Sequence, residues 1–233
     1  MEFFGNLFNL ILYQPLFNAL VFLYHYLPGG DFGVAVIVLT ILIRVAFYPV
    51  MLKSIKSQKA LQDIQPELKK IQEEYKNDKE KQSKAMMELY QKKGMNPFGG
   101  CLPLLIQLPI LFALFMVCSR GLQPEQLSFL YSFTPFPGQI NPFFLGTVDL
   151  SLPNIWLALL AGVLQFFQGK MMVPKNQKGG AGQLVQTMQK QMIYFLPLIT
   201  VLFLWQLPSA IGLYWITTSV FTIIQQKIAF KNQ

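Results

Sequence analysis

Outside one short segment this chain carries almost no charge. Eighteen of its 30 charged residues fall in the 41 positions from Lys53 to Lys93, which leaves 12 for the other 192. A water-soluble fold needs charge over its whole surface, so this distribution excludes one and points to a chain embedded in lipid. Two cysteines, Cys101 and Cys118, share one apolar run and the single histidine is His25. Neither a disulfide framework nor a four-ligand zinc site can be built from them, and no metal or cofactor is expected.

A hydrocarbon core about 30 Å thick takes roughly 20 helical residues at about 1.5 Å each. Gly33 to Leu52 holds one charge, while Phe98 to Ser119 and Leu150 to Gly169 hold none. The 36 uncharged residues from Gln191 to Gln226 are too many for one crossing, and suffice for two if the chain turns near Leu207, Pro208 and Ser209. Five spans follow, at 31–52, 96–120, 150–170, 191–207 and 208–228. They leave a polar segment at 53–95, loops at 121–149 and 171–190, and a tail at 229–233. Residues 1–30 are uncharged apart from Glu2. Asn6, Asn9, Tyr13, Gln14, Asn18 and His25 draw a polar stripe there, broken at Pro15, as in an amphipathic helix lying at the membrane interface. A sixth span or a short signal sequence are the alternatives on length, although no A-x-A cleavage site is present.

With five spans, all 17 lysines lie on one side, and the positive-inside bias puts that side in the cytoplasm. The other side keeps Asp31, Arg120, Glu125 and Asp149, so 121–149 is an extracytoplasmic cap. In the cytoplasmic segment Leu61, Ile64, Leu68, Ile71 and Tyr75 form one apolar stripe, and Ala85, Met86, Leu89 and Tyr90 a shorter one. Asn77 and Asp78 suit a turn between them, and Pro66 must kink or restart the first arm. An antiparallel helical hairpin over 53–95 is expected.

Arg44 is the sharpest single feature. In an unbroken helix from Gly33 to Lys53 it sits roughly 14 Å from the cytoplasmic edge, where an arginine costs from about 2.5 to more than 10 kcal/mol unless it faces protein or water. All 11 acidic residues lie outside the apolar runs, Asp31 being at the outer edge of the first, so no carboxylate can pair with it. Compensation must come from neutral dipoles and water. The spans supply Thr40, Gln107, Gln165, Gln168, Tyr214, Trp215, Thr217, Thr218 and Ser219. A hydrated cavity inside the bilayer is expected, with Arg44 open to an anionic or polar group entering the membrane. The competing reading is an arginine that bonds helix carbonyls or lipid phosphate and does nothing else.

Three stretches make the sequence resemble the YidC/Oxa1/Alb3 family of membrane protein insertases. One is the first span with Arg44, Tyr48 and Pro49 ahead of a charged hairpin. Another is Asn96-Pro97-Phe98-Gly99-Gly100-Cys101-Leu102-Pro103, continuing through Gln107 to Pro109. The third is Pro208-Ser209-Ala210-Ile211-Gly212-Leu213-Tyr214-Trp215, closing at Ile223-Ile224-Gln225-Gln226. The resemblance implies an all-α integral membrane protein: a five-helix core enclosing a hydrophilic groove open to the cytoplasm, a cytoplasmic hairpin and an N-terminal interfacial helix. It implies that Arg44 recruits polar parts of a nascent chain, that Thr40 lines the groove, and that Trp215 and Thr218 face it. Tyr214 is a neighbour of that set, and Gln107 and Gln165 join it on polarity alone. The implied partners are nascent membrane proteins and the lipid bilayer, with the Sec translocon and the ribosome as transient ones and no specific nucleic-acid sequence. The short tail after Lys227 argues against fixed ribosome attachment.

Two other classes compete. A small anion channel or carrier would use Arg44 as its binding site, though no internal repeat of the kind such proteins often show is present. A scaffold would use the hairpin for docking and the spans as anchors. An enzyme fits least, because the apolar runs of the five spans hold no His, Asp or Glu to act as acid, base or ligand.

Overall fold

Where the polar residues of the N-terminal segment point decides how it joins the rest. The computed structural model describes residues 2–95, 102–120, 128–138, 140–171 and 191–231. α1 (Glu2–Phe8), a π-helical turn (Asn9–Tyr13) and α2 (Gln14–Tyr26) follow one another as one helical rod. Asn18, buried in α2, donates to the carbonyls of Gln14 (2.8 Å) and Phe129 (2.9 Å). Its oxygen accepts from the Tyr131 N–H (2.7 Å) and the Thr134 hydroxyl (2.8 Å). Gln14 also donates to the Phe129 carbonyl, at 3.1 Å. Two members of the polar stripe are thus engaged by the loop at 128–134 rather than by water, while Tyr13, Phe17, Leu20 and Val21 enter the hydrophobic core. The stretch Gly5–Tyr26 is long and apolar enough to cross a membrane.

α3 (Phe32–Ala46) starts under an Asp31 cap, whose carboxylate accepts from the Val34 N–H at 2.9 Å. The unbroken span expected over 31–52 does not form. α3 ends at Phe47, and α4 (Tyr48–Asp63) leaves at 68° to it. Pro49 explains the break, since it has no N–H for the Val45 carbonyl and its ring crowds that turn. α4 packs its Met51, Ser54 and Ile55 face inward. A second break at Ile64 precedes α5 (Gln65–Glu74), with Pro66 in the first turn. α6 (Lys79–Lys92) runs back beside α5, tied by Lys93 to Glu67 (2.7 Å) and by Gln82 to the Gln72 carbonyl (3.2 Å).

α7 (Leu102–Arg120), α8 (Ile155–Met171), a π-helical turn (Gln191–Phe195) running into α9 (Leu196–Leu204), and α10 (Ser209–Lys231) complete the bundle. At about 1.5 Å per residue α7 and α10 are about 28 and 34 Å long, close to the hydrocarbon thickness. α10 is the central helix, with α3 and α8 as its main neighbours. α8 and α9 meet at Gly162, where a Cβ would lie 2.4 Å from Val201 Cγ2, so only glycine permits that approach. The expected segments 96–101, 121–127 and 172–190, Cys101 and the end of the tail lie outside the described residues.

The cap departs from an all-helical plan. β1 (Phe143–Phe144) and β2 (Val148–Asp149) pair antiparallel around a turn in which Leu145 (φ 50°) and Gly146 (φ 67°) are both left-handed. Two such residues in succession make the turn whose twist suits a hairpin.

Candidate functional site

Arg44 occupies the last turn of α3 and is 7% exposed. That position helps it, because the free carbonyls at a helix C-terminus carry partial negative charge. Its Nη2 donates to Gln107 Oε1 at 2.8 Å, bridging to the second turn of α7. The Gln107 amide nitrogen in turn donates to the Tyr214 hydroxyl on α10. One glutamine therefore joins three helices and leaves the charge with a neutral partner. Neither ion pair among the described residues, Lys81 to Asp78 or Lys93 to Glu67, involves Arg44. A guanidinium has five N–H donors, so one bond to Gln107 leaves most of them for something else.

Gln107 sits two residues before Pro109, which lies inside α7. Proline cannot donate to the Leu105 carbonyl, so the helix is loosened beside the arginine. On the other side of α10, the Trp215 indole N–H donates to Gln165 Oε1 on α8 at 3.2 Å. Adjacent residues of α10 thus face opposite neighbours, Tyr214 towards α3 and α7, Trp215 towards α8. Thr218, one turn beyond Tyr214, is buried, and its hydroxyl has no hydrogen bond of good geometry among the described residues, while its carbonyl accepts from the Thr222 hydroxyl at 2.9 Å. Thr40 lies one turn before Arg44, also buried, but its hydroxyl donates to the Val36 carbonyl of its own helix at 2.6 Å. Thr217 does the same to Leu213, at 2.9 Å.

The structure thus brings Arg44, Gln107 and Tyr214 into one hydrogen-bonded set and Trp215 and Gln165 into another, on two faces of α10. Sequence reasoning passed over the continuation of the first face. Tyr214, Thr218, Thr222 and Gln225 follow one another at helical spacing towards the lysine-rich end. Both amide atoms of the Gln225 side chain and the Gln226 side-chain oxygen are buried without hydrogen-bond partners among the described residues. Their 3.6-residue period was visible, but neutral residues near a helix end raise no alarm on hydropathy alone. Among the described residues, no three His, Cys, Asp or Glu side chains come together as a metal site would need.

Apolar helices packed around a buried guanidinium that has only neutral partners define a polytopic membrane protein with a polar site inside its bundle. Residues 22–233 match the model of the 60Kd inner membrane protein family. The membrane protein insertase YidC of Fusobacterium nucleatum subsp. nucleatum is 38% identical over 203 residues, covering 87% of this chain and 88% of its own. The YidC of Geobacter sulfurreducens is 35% identical over 218 residues, 93% of this chain but 36% of that protein. A crystal structure of an active YidC insertase with its first transmembrane domain resolved shares the fold at a TM-score of 0.61 and 27% identity, over 94% of this chain and 46% of the other. The chain belongs to the 60Kd inner membrane protein family, that of the YidC membrane protein insertases. It is a multi-pass protein of the bacterial inner membrane.

Proposed function

We propose that this chain inserts membrane proteins by drawing the polar part of a nascent chain into a hydrophilic groove around Arg44 and releasing the apolar helix into lipid. The observation that carries the reading is Arg44, a residue 7% exposed, paired with no carboxylate among the described residues and bonded to one side-chain amide. Gln107 and Tyr214 hold it, and Thr218 with the orphaned Gln225 and Gln226 amides extends the polar lining towards the cytoplasm. Buried polar atoms without protein partners call for water, so the lining is read as hydrated. Trp215 with Gln165 forms the wall on the α8 side, while Thr40 is buried behind it with its hydroxyl bonded back into α3.

The bend at Phe47 brings the site closer to the cytoplasm than a straight helix would. With α3 along the bilayer normal, the turn to Phe47 and six residues of α4 inclined at 68° place Lys53 about 8 Å below Arg44 rather than about 14 Å. A polar segment then has a short way in. The N-terminal rod lies obliquely on the outer half of the bundle, since Phe8 packs on Phe112, midway along α7, while the Tyr24 hydroxyl accepts from the Asn141 N–H in the cap. The partners are nascent membrane proteins and the bilayer, with the Sec translocon and the ribosome engaged transiently. Transfer is driven by partitioning of the apolar helix at about 25 cal/mol per Å² and by the membrane potential, about 2.3 kcal/mol per charge per 100 mV.

The test is insertion into vesicles reconstituted with the full chain, using single-span substrates with acidic leaders. Arg44→Ala should slow insertion several-fold and Arg44→Lys should restore part of it. Normal rates in the alanine variant would refute the recruitment step.

A further inference from the structure

The end of the bundle opposite the lysines is apolar in an unusual way. From Gln126 to Gly169 the sequence holds one charged residue, Asp149. Its carboxylate is engaged internally, accepting from the Ser151 N–H (2.9 Å) and hydroxyl (2.6 Å). The nearby Asp31 carboxylate is likewise taken up, by Val34 N–H and Leu145 N–H. On this end Phe133 is 72% exposed, Phe136 67%, Leu145 67% and Trp156 75%. An aqueous surface would show the reverse: charges outward and aromatic side chains inward.

Leu145 adds a second observation. It sits at the tip of the hairpin with φ 50°, a conformation that glycine or asparagine adopts far more readily. The tip thus carries a large apolar side chain at a backbone cost and turns it outward. Leu152, Trp156, Leu160, Val163 and Phe167 are also exposed, at spacings of four, four, three and four. They continue the apolar outer face of α8 past its first turn into the cap, so the two surfaces are one.

We propose that the cap, residues 128–138 and 140–154, is seated in the outer leaflet at the boundary between headgroups and acyl chains, with Phe133, Phe136 and Leu145 as its lipid contacts, continuous with Trp156 on α8. Lipid is the occupant that a stretch with a single, internally bonded charge and the unbroken stripe on α8 both fit. Aromatic and apolar side chains beside well-bonded backbone turns are the composition of that boundary layer. This inference is independent of the role of Arg44.

The experiment reads depth from tryptophan fluorescence in the full chain, reconstituted in phosphatidylcholine vesicles. The three native tryptophans are 156, 205 and 215. In a background of Trp156→Phe, Trp205→Phe and Trp215→Phe, one variant adds Leu145→Trp and a second adds Phe136→Trp. A third variant keeps Trp156 alone, as a depth reference on α8. Lipids brominated at acyl carbons 6 and 7 should lower emission of the two cap probes at least two-fold. Bromines at carbons 11 and 12 should act less, and aqueous iodide by about a tenth or less. Quenching of Trp156 but not of the cap probes, with iodide reaching the latter, would place the cap in water and overturn the proposal. Cap probes reached by neither quencher would mean a protein cover, a second copy or another partner, and would overturn it equally.

Discussion

The Asp31 carboxylate accepts the backbone N–H of Leu145 at 2.6 Å, across 114 positions of sequence. Its other oxygen caps α3 through Val34. One side chain therefore fixes both the start of the arginine-bearing helix and the strained tip of the hairpin. Asp31→Asn keeps one acceptor oxygen for the helix and loses the second. A bond to a charged acceptor contributes about 1.5 to 3 kcal/mol. Amide exchange across 143–149 should speed up by roughly ten- to a hundred-fold while protection at 34–36 holds, which hydrogen-exchange mass spectrometry can resolve.

Replacing the partner of Arg44 separates stability from function. Gln107→Leu leaves the guanidinium without its side-chain acceptor and should lower thermal stability, by about 1.5 to 3 kcal/mol for one charge-assisted bond. Gln107→Glu supplies a carboxylate at the same place, so the unfolding temperature should hold or rise. Insertion of acidic-leader substrates should nevertheless fall as far as in Arg44→Ala. A glutamate variant that is both stable and fully active would show that a free guanidinium is not required.

The contact at Gly162 is steric and has a steric remedy. Gly162→Ala places a methyl 2.4 Å from Val201 Cγ2 and should destabilise by about 1 to 3 kcal/mol. Val201→Ala removes the obstructing methyls, so the double variant should recover most of that loss, read as unfolding temperature in detergent. Two additive losses would place the strain at the Pro197 carbonyl, 3.4 Å from the same Cβ, instead.

In the hairpin, Asp78 caps α6 by accepting from the Lys81 N–H at 3.0 Å and pairing with its ammonium at 3.1 Å. The backbone bond first, and the lysine second, hold its carboxyl below the ordinary value. A depressed folded-state pKa favours the ionised form, so the cap's contribution is complete above the unfolded value near 3.9 and is lost as pH falls through the lower folded one. Exchange at residues 81–84, corrected for intrinsic rates, should rise as pH falls below about 4, and Asp78→Asn should abolish that dependence.

How far the sequence carried the reading differs from residue to residue. The unpaired Arg44 was legible because eleven acids could be counted and none lay in the apolar runs of the spans. Its attachment to Gln107 was not, since bonding across 63 positions depends on how helices are rotated against each other. Tyr214 was ambiguous for the same reason. Thr40 reads as a groove-lining hydroxyl by resemblance, yet a threonine in a helix can bond back four residues, as this one does. Pro49 was in view, but counting apolar residues from Gly33 to Leu52 gave it no weight, and the helix breaks there. The stripe containing Gln14 and Asn18 suggested contact with headgroups and water, and a periodic pattern does not tell solvent from a loop folded over it.

The elbow at Phe47 makes α4 a crank. Arg44 lies three residues before the pivot, and the 16 residues of α4 extend about 24 Å beyond it before the Ile64 joint. A rotation of about 5° at the pivot swings Asp63 by about 2 Å. A displacement at the guanidinium that turns this pivot reaches the root of the lysine-rich arms enlarged.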